Sequence, residues 1–137
     1  MSLTNDLRVW RADRNITSSN YRVYFENIIE ELLEPLYEKE TLEYLKEEIV
    51  DKYYPTTVGL KDHDVLDAIQ DIQVFSINEF ECMGYDNIKG NEEVFKEINS
   101  RQQCPLQATR NWHGEKWRKN TNQPKETLYK ADFRKCK

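Results

Sequence analysis

The hydrophobic residues of this chain recur with the period of an α-helix along most of its first hundred residues. A first helix is predicted at about residues 20–34 and a second at about 38–53, because apolar side chains in both recur at spacings of three and four. Pro35 separates the two, since proline interrupts a helix. The strongest segment, about 63–83, is predicted as a third helix ending at Gly84, a residue suited to a left-handed C-cap.

The periodic pattern weakens after a fourth predicted helix at about residues 92–102. Residues 104–137 contain two prolines among many polar residues and show no sustained period, so we expect an irregular tail there. No segment alternates apolar and polar residues for long enough to predict a strand. The pattern therefore predicts an all-α protein, with a bundle of four to five helices at residues 1–103 and a basic C-terminal extension at 104–137.

Composition fits one domain and excludes several classes of protein. The chain has 137 residues, of which 38% are hydrophobic and 33% charged, which suffices for a single core. No apolar run approaches the roughly 20 residues that a membrane span needs, and the start of the sequence lacks the layout of a secretory signal. We therefore expect a cytoplasmic protein. Its three cysteines are odd in number and widely spaced, so we expect free thiols.

The charges are divided unevenly along the chain. Residues 1–100 carry 10 basic and 22 acidic side chains, whereas residues 101–137 carry 10 and 3. The net charge of −5 therefore combines an acidic body with a basic end. The four glycines lie too far apart to form a phosphate-binding loop of the P-loop or dinucleotide type, which needs clustered glycines.

Two groups of three carboxylates lie at helical spacings, one on the first predicted helix and one on the third: Glu30, Glu31, Glu34 and Asp64, Asp67, Asp71. Such spacing usually marks a solvated helix face, and we interpret the glutamates of the second helix in that way. The two groups differ because no lysine or arginine is interleaved and like charges at these spacings repel. Aspartate is also a poor helix former. A bound cation explains both features, and all-oxygen ligands favour Mg²⁺, with Mn²⁺ as the alternative.

These motifs resemble those of the MazG-type all-α nucleoside triphosphate pyrophosphohydrolases. Residues 30–34 match the family's motif EExxE, and residues 64–67 resemble its motif ExxD, with aspartate in place of glutamate. Residues 71–86 resemble the family helix that ends in Leu-Gly-Ile-Asp. The segment Trp-Arg-Ala-Asp-Arg-Asn-Ile at 10–16 resembles one that precedes the first helix in some members. The resemblance covers roughly residues 8–103.

The resemblance implies hydrolysis of a nucleoside triphosphate, with a dNTP as the expected substrate, to a monophosphate and pyrophosphate. Water attacks the α-phosphoryl group, and Mg²⁺ is the implied cofactor. The implied metal ligands are Glu31, Glu34, Asp64 and Asp67, and the implied catalytic groups are Glu30 and Asp71, which orient the water or add ligands. The shorter side chain at position 64 leaves open whether Asp64 with Asp67, or Asp67 with Asp71, supplies the ligands. The resemblance also implies a homodimer or homotetramer.

Candidates for binding the substrate lie outside the carboxylate motifs. Arg14 and Asn15 are candidates for contacts with phosphate or base, and Lys116 of the basic tail is one for the leaving pyrophosphate. Asn78 is a candidate for contacting phosphate or sugar, or equally for a hydrogen bond within the core. Trp10 is a candidate for stacking on the base, or equally for an N-terminal hydrophobic anchor.

An alternative function is that of a non-catalytic helical module that binds nucleic acid or nucleotides through its basic tail. Aromatic residues interleave with basic ones in the tail, a combination suited to stacking on bases and neutralising phosphates. The tail is equally suited to docking on the acidic body of its own or a neighbouring chain. The enzyme hypothesis predicts metal-dependent release of pyrophosphate, whereas the binding hypothesis predicts salt-sensitive binding that requires residues 104–137. A scaffold that pairs its acidic helices with a basic partner is a third, less favoured hypothesis.

Overall fold

The described part of the chain folds into five α-helices and two short 3-10 turns. A computed structural model describes residues 2–16, 19–54, 59–101 and 123–137. The helices are α1 (Leu3–Asp13), α2 (Tyr21–Leu33), α3 (Lys39–Tyr53), α4 (Asp62–Cys82) and α5 (Asn87–Ser100), and the turns are Lys125–Thr127 and Phe133–Cys136. No strand occurs in these four segments, and the predicted all-α class is confirmed.

Two helices differ from the sequence prediction. The fourth predicted helix begins at Asn87 rather than near residue 92, because the side chain of Asp86 accepts hydrogen bonds from the backbone N–H groups of Ile88 and Lys89 and caps the helix. Helix α1 was not predicted at all. It begins at the cap residue Ser2, whose hydroxyl accepts from the N–H of Asn5 at 3.2 Å.

Helices α1 and α5 pack around Trp10. Trp10 is 9% exposed. It packs against Leu7 of α1, Ile16 just after that helix, and Phe95 and Ile98 of α5. The chain turns away after α1 at Asn15, which has a φ of 53°, a left-handed conformation that asparagine tolerates. This cluster forms one part of the core. The other part lies between α2 and α3, where Ile29 on α2 and Leu42 and Val50 on α3 are buried.

The C-terminal segment, residues 123–137, packs along α5 through polar contacts. The backbone N–H of Asp132 donates to the Glu93 carboxylate at 3.0 Å, and the Tyr129 hydroxyl donates to the same oxygen. The N–H of Ala131 donates to Glu97 at 3.2 Å. At the end of the segment, the backbone carbonyl of the buried Cys136 accepts a hydrogen bond from the N–H of Asp86 at 2.7 Å. The basic end of the chain thus docks on acidic residues of its own body.

Helix α4 is the longest of the described helices and buries none of its residues. A groove of about 800 Å³ separates it from α1, and its packing on α5 is centred on Phe80. Val74 and Phe75 are 50% and 70% exposed. Most of the surface of α4 therefore faces solvent in a single chain. None of the helices described here is long and apolar enough to cross a membrane.

Candidate functional site

Glu30 and Glu31 at the end of α2 and the cap residue Glu34 do not share one environment. The carboxylate of Glu30 lies 3.6 Å from the ammonium group of Lys46 on α3, which also pairs with Glu43 at 3.2 Å. Burial on its own lowers the pKa of Lys46, but the hydrogen bond with Glu43 and the charge of Glu30 outweigh it, so the pKa is raised. Glu30 thus faces α3 and its charge is compensated. The sequence did not reveal this because the cation comes from the neighbouring helix.

Glu31 and Glu34 lie on the exposed side of α2, at its C-terminal end. They are three residues apart and therefore neighbours on the helix surface. The Glu34 carboxylate makes no hydrogen bond or ion pair with any described residue. Because the C-terminus of a helix carries partial negative charge, a carboxylate there is unfavourable, and a cation beside it would relieve the repulsion.

Asp64, Asp67 and Asp71 form an exposed stripe on α4, and Asn78 continues it. None of the three carboxylates has a hydrogen bond or ion pair within the described ranges. Helix α4 contains six acidic residues and no lysine or arginine, so its own sequence supplies no compensating charge. The charge of the stripe is therefore uncompensated within the described part of the chain.

The two carboxylate groups do not converge in a single chain. Helix α4 turns Val65 and Ile69 toward α2, where they border a shared groove. At roughly 100° per residue, the aspartate stripe lies about 120° to 180° around the helix axis from that line. Consistent with this, the described residues contain no group of three or more His, Cys, Asp or Glu side chains placed to hold a metal ion. The donor chemistry suits Mg²⁺ or Mn²⁺, but the positions within one chain do not complete a coordination shell.

The predicted substrate-binding residues are dispersed. Trp10 lies in the hydrophobic core, which fits the role of a hydrophobic anchor, one of its two predicted roles. The guanidinium carbon of Arg14 lies over its ring, 4.6 Å from the ring centroid. Asn15 forms the turn after α1, and Asn78 is exposed on α4 beside the aspartates. Lys116 lies outside the described residues. Trp10, Arg14 and Asn15 thus lie on α1 and the turn that follows it, and not on the helices that carry the carboxylates.

The groove between α2 and α4 contains side chains that the sequence analysis did not single out. It has a volume of about 330 Å³ and is bordered by Tyr21, Tyr24 and Asn27 on α2 and by Val65 and Ile69 on α4. The sequence does contain a signal for this groove. Tyr21, Tyr24 and Asn27 follow at spacings of three, and Glu31 comes four residues later, so all four lie on one face of the helix. That face was interpreted only for its carboxylates.

The C-terminal segment is held by a network of titratable groups. The hydrogen bond from Tyr129, together with that from the N–H of Asp132, lowers the pKa of Glu93. The Lys135 ammonium donates to the Tyr129 hydroxyl at 3.2 Å, which raises the pKa of that lysine. Phe133 packs edge-on against Phe80. Tyr129 and Phe133, two aromatic residues of the tail, therefore both take part in docking.

No protein-family model, curated protein or solved structure matches this chain. What stands out is a pair of exposed carboxylate faces on α2 and α4, with an aromatic and amide-lined groove between the same two helices.

Proposed function

We propose that this chain is a metal-dependent nucleoside triphosphate pyrophosphohydrolase that works as a homo-oligomer. Its substrate is a nucleoside triphosphate, with a dNTP as the first expectation, and its products are a monophosphate and pyrophosphate. The observation that carries the proposal is the uncompensated aspartate stripe of α4, Asp64, Asp67 and Asp71. The MazG-type motifs at residues 30–34 and 64–67 supply the reaction class.

The charge of the stripe is the physical argument for a cation. Like charges at these spacings repel, and no described basic group relieves them. A triphosphate, with about four negative charges, approaches such a surface only if metal ions lie between the two. When bound, Mg²⁺ supplies that positive charge and polarises the phosphoryl group. The residues of this chain that would hold it are Glu31 and Glu34 on α2 and the aspartates on α4.

A second copy of the chain would bring together carboxylates that one copy keeps apart. Val74 and Phe75 lie on either side of the aspartate stripe, and both are half exposed or more. Burying one such side chain stabilises an interface by about 1.5–3 kcal/mol. A homodimer that covers this face of α4 would bury both residues in each copy. It would also allow carboxylates from both copies to share the metal, which the positions within one chain do not allow.

The first test is a pyrophosphate-release assay on the full chain. The protein is incubated with each common ribo- and deoxyribonucleoside triphosphate in the presence of Mg²⁺ or Mn²⁺. We expect pyrophosphate from at least one of them, and its loss in Glu34→Gln. The matched control is Glu40→Gln, which changes an exposed glutamate on α3 and should retain activity. No pyrophosphate from any triphosphate with either metal would contradict the proposal. Metal-independent, salt-sensitive nucleic-acid binding that requires residues 104–137 would favour the binding module instead.

The second test is the mass of the protein in solution. Light scattering at micromolar concentration should give at least twice the chain mass of 16.5 kDa. Phe75→Glu should shift the protein toward the monomer and reduce pyrophosphate release with it. Ile88→Glu is the matched control, because Ile88 is 73% exposed on α5, away from the stripe. A monomeric mass for the unchanged protein would refute the shared site.

A further inference from the structure

The groove between α2 and α4 combines an apolar floor with aromatic and amide walls. Its volume of about 330 Å³ lies at the small end of the range of about 300–1,000 Å³ that is usual for small-molecule sites. Val65 and Ile69 supply the apolar surface, and Tyr21, Tyr24 and Asn27 supply the walls. The ring of Tyr21 is held in place by stacking on Phe25, with centroids 6.4 Å apart and planes 14° apart. The groove is therefore suited to a flat ring with polar edges.

Two polar groups in the groove have no hydrogen-bond partner among the described residues. The Tyr24 hydroxyl and the Asn27 carboxamide make no hydrogen bond to any described residue, although both residues are half-buried. Neither group is committed within the described part of the chain, so both can hydrogen-bond to water or to a ligand. Asn20, at the exposed rim of the groove, is already engaged, since its side chain accepts a hydrogen bond from the N–H of Val23 at 3.3 Å and caps α2. Burial raises the pKa of Tyr24, with a further contribution from Tyr21, so its hydroxyl stays protonated and can donate.

The position of the groove relates it to the carboxylates of α2. Tyr24, Asn27, Glu31 and Glu34 follow one another at spacings of three, four and three. Asn27 therefore precedes Glu31 by one helical turn, a rise of about 6 Å, on the same side of α2. A ligand whose ring occupies the groove would extend toward Glu31 and Glu34, the residues proposed above to hold the metal.

We infer that this groove binds the base of the nucleoside triphosphate, with the ring against Tyr21 and Tyr24 and a polar edge paired with Asn27. A carboxamide presents one donor and one acceptor side by side, which matches the edge of a base. Aromatic rings stack on any base, so the tyrosines provide affinity and Asn27 provides discrimination. The inference rests on the proposed pyrophosphohydrolase function for the identity of the ligand, but binding of a base is measurable without hydrolysis.

The experiment titrates the full chain with the common deoxynucleoside monophosphates in the absence of metal, followed by calorimetry or amide chemical shifts. We expect at least one of them to bind, with a dissociation constant that rises by about tenfold or more in Asn27→Ala. Tyr24→Phe, which retains the ring, should have a smaller effect. Asn99→Ala is the matched control, because Asn99 is exposed on α5 and borders no part of the groove. Tripolyphosphate with Mg²⁺, which has no base, should bind Asn27→Ala and the unchanged chain equally.

The outcomes separate this inference from the proposed function. Monophosphate binding that depends on Asn27, without pyrophosphate release from any triphosphate, supports the base site and overturns the hydrolase. Pyrophosphate release that is indifferent to Asn27→Ala for every base overturns the base site and leaves the hydrolase standing. Absence of monophosphate binding, or equal binding by Asn27→Ala and the unchanged chain, also overturns the base site.

Discussion

Gly90, near the start of α5, lies directly against the ring of Phe80 on α4. A methyl group on its α-carbon would lie 2.7 Å from the Cζ atom of that ring and 3.0 Å from Cε1, closer than carbon atoms pack. The ring has little freedom to move away, because its centroid lies 5.8 Å from that of Tyr85 and 5.9 Å from that of Phe133. Gly90→Ala therefore tests whether this small aromatic cluster holds α4 to α5.

Two effects of Gly90→Ala oppose each other. Alanine is more favourable than glycine inside a helix by about 1 kcal/mol, whereas overpacking a filled site costs about 1–3 kcal/mol. We expect the clash to prevail and the free energy of unfolding to fall by about 1 kcal/mol. In a Phe80→Leu background the ring is absent, and the same change should raise the free energy of unfolding by up to about 1 kcal/mol.

The assay is a double-mutant cycle. Urea unfolding of the four proteins is followed by far-ultraviolet circular dichroism, which reports the loss of helix. The expected signature is a change of sign between the two backgrounds, not merely a change of size. If Gly90→Ala stabilises the protein equally with and without the Phe80 ring, the contact between α4 and α5 is not the one described and the reasoning fails.

Two further predictions concern the docked C-terminal segment. In a Cys104→Ser background, the exposed Cys82 should react at once with a thiol reagent, whereas Cys136 should react only after unfolding. The reason is that burial closes access to the Cys136 thiol and raises its pKa. Fast reaction of both thiols in the folded protein would contradict the docking. The hydrogen bond from Tyr129 lowers the pKa of Glu93 below its ordinary value of 4.5, so this carboxylate stabilises the fold above that value and ceases to do so as the pH falls through the lowered pKa. The acid limb of a plot of stability against pH should accordingly be shallower in Glu93→Gln, and an unchanged limb would count against the network.

The parts of the fold that the sequence predicted are those whose apolar period is visible within one segment. Helices α2, α3 and α4 bury or half-bury residues such as Ile29, Leu42 and Ile69 at helical spacing, and their bounds were predicted to within one or two residues. Helix α1 carries only a short apolar period, Leu3, Leu7 and Trp10 at spacings of four and three, and it is stabilised by contacts with Phe95 and Ile98, far away in the sequence. A pattern search along the chain has no access to such contacts.

The sequence did not distinguish docking of the C-terminal segment from its other possible roles, for a different reason. Its contacts with α5 come largely from backbone N–H groups, such as those of Ala131 and Asp132 donating to Glu97 and Glu93. Every residue except proline carries an N–H group, so no residue type marks such a contact in the sequence.

For the candidate site, the sequence predicted the types and spacing of the residues but not their orientation in the fold. The carboxylates were found because their spacing and lack of interleaved cations are local properties. The pairing of Glu30 with Lys46, and the rotation that turns Asp67 away from α2, depend on how whole helices pack. The groove residues Tyr24 and Asn27 were passed over because a tyrosine and an asparagine at helical spacing are ordinary until a neighbouring helix closes a groove over them.

The most direct test of the proposed function follows the fate of the attacking water. The protein is incubated with its preferred triphosphate and Mg²⁺ in water labelled with heavy oxygen, and the products are analysed by mass spectrometry. We expect label in the nucleoside monophosphate and none in the pyrophosphate, with turnover lost in Asp67→Asn and retained in Glu40→Gln. Label in inorganic phosphate or pyrophosphate, or full turnover by Asp67→Asn, would contradict the proposed function.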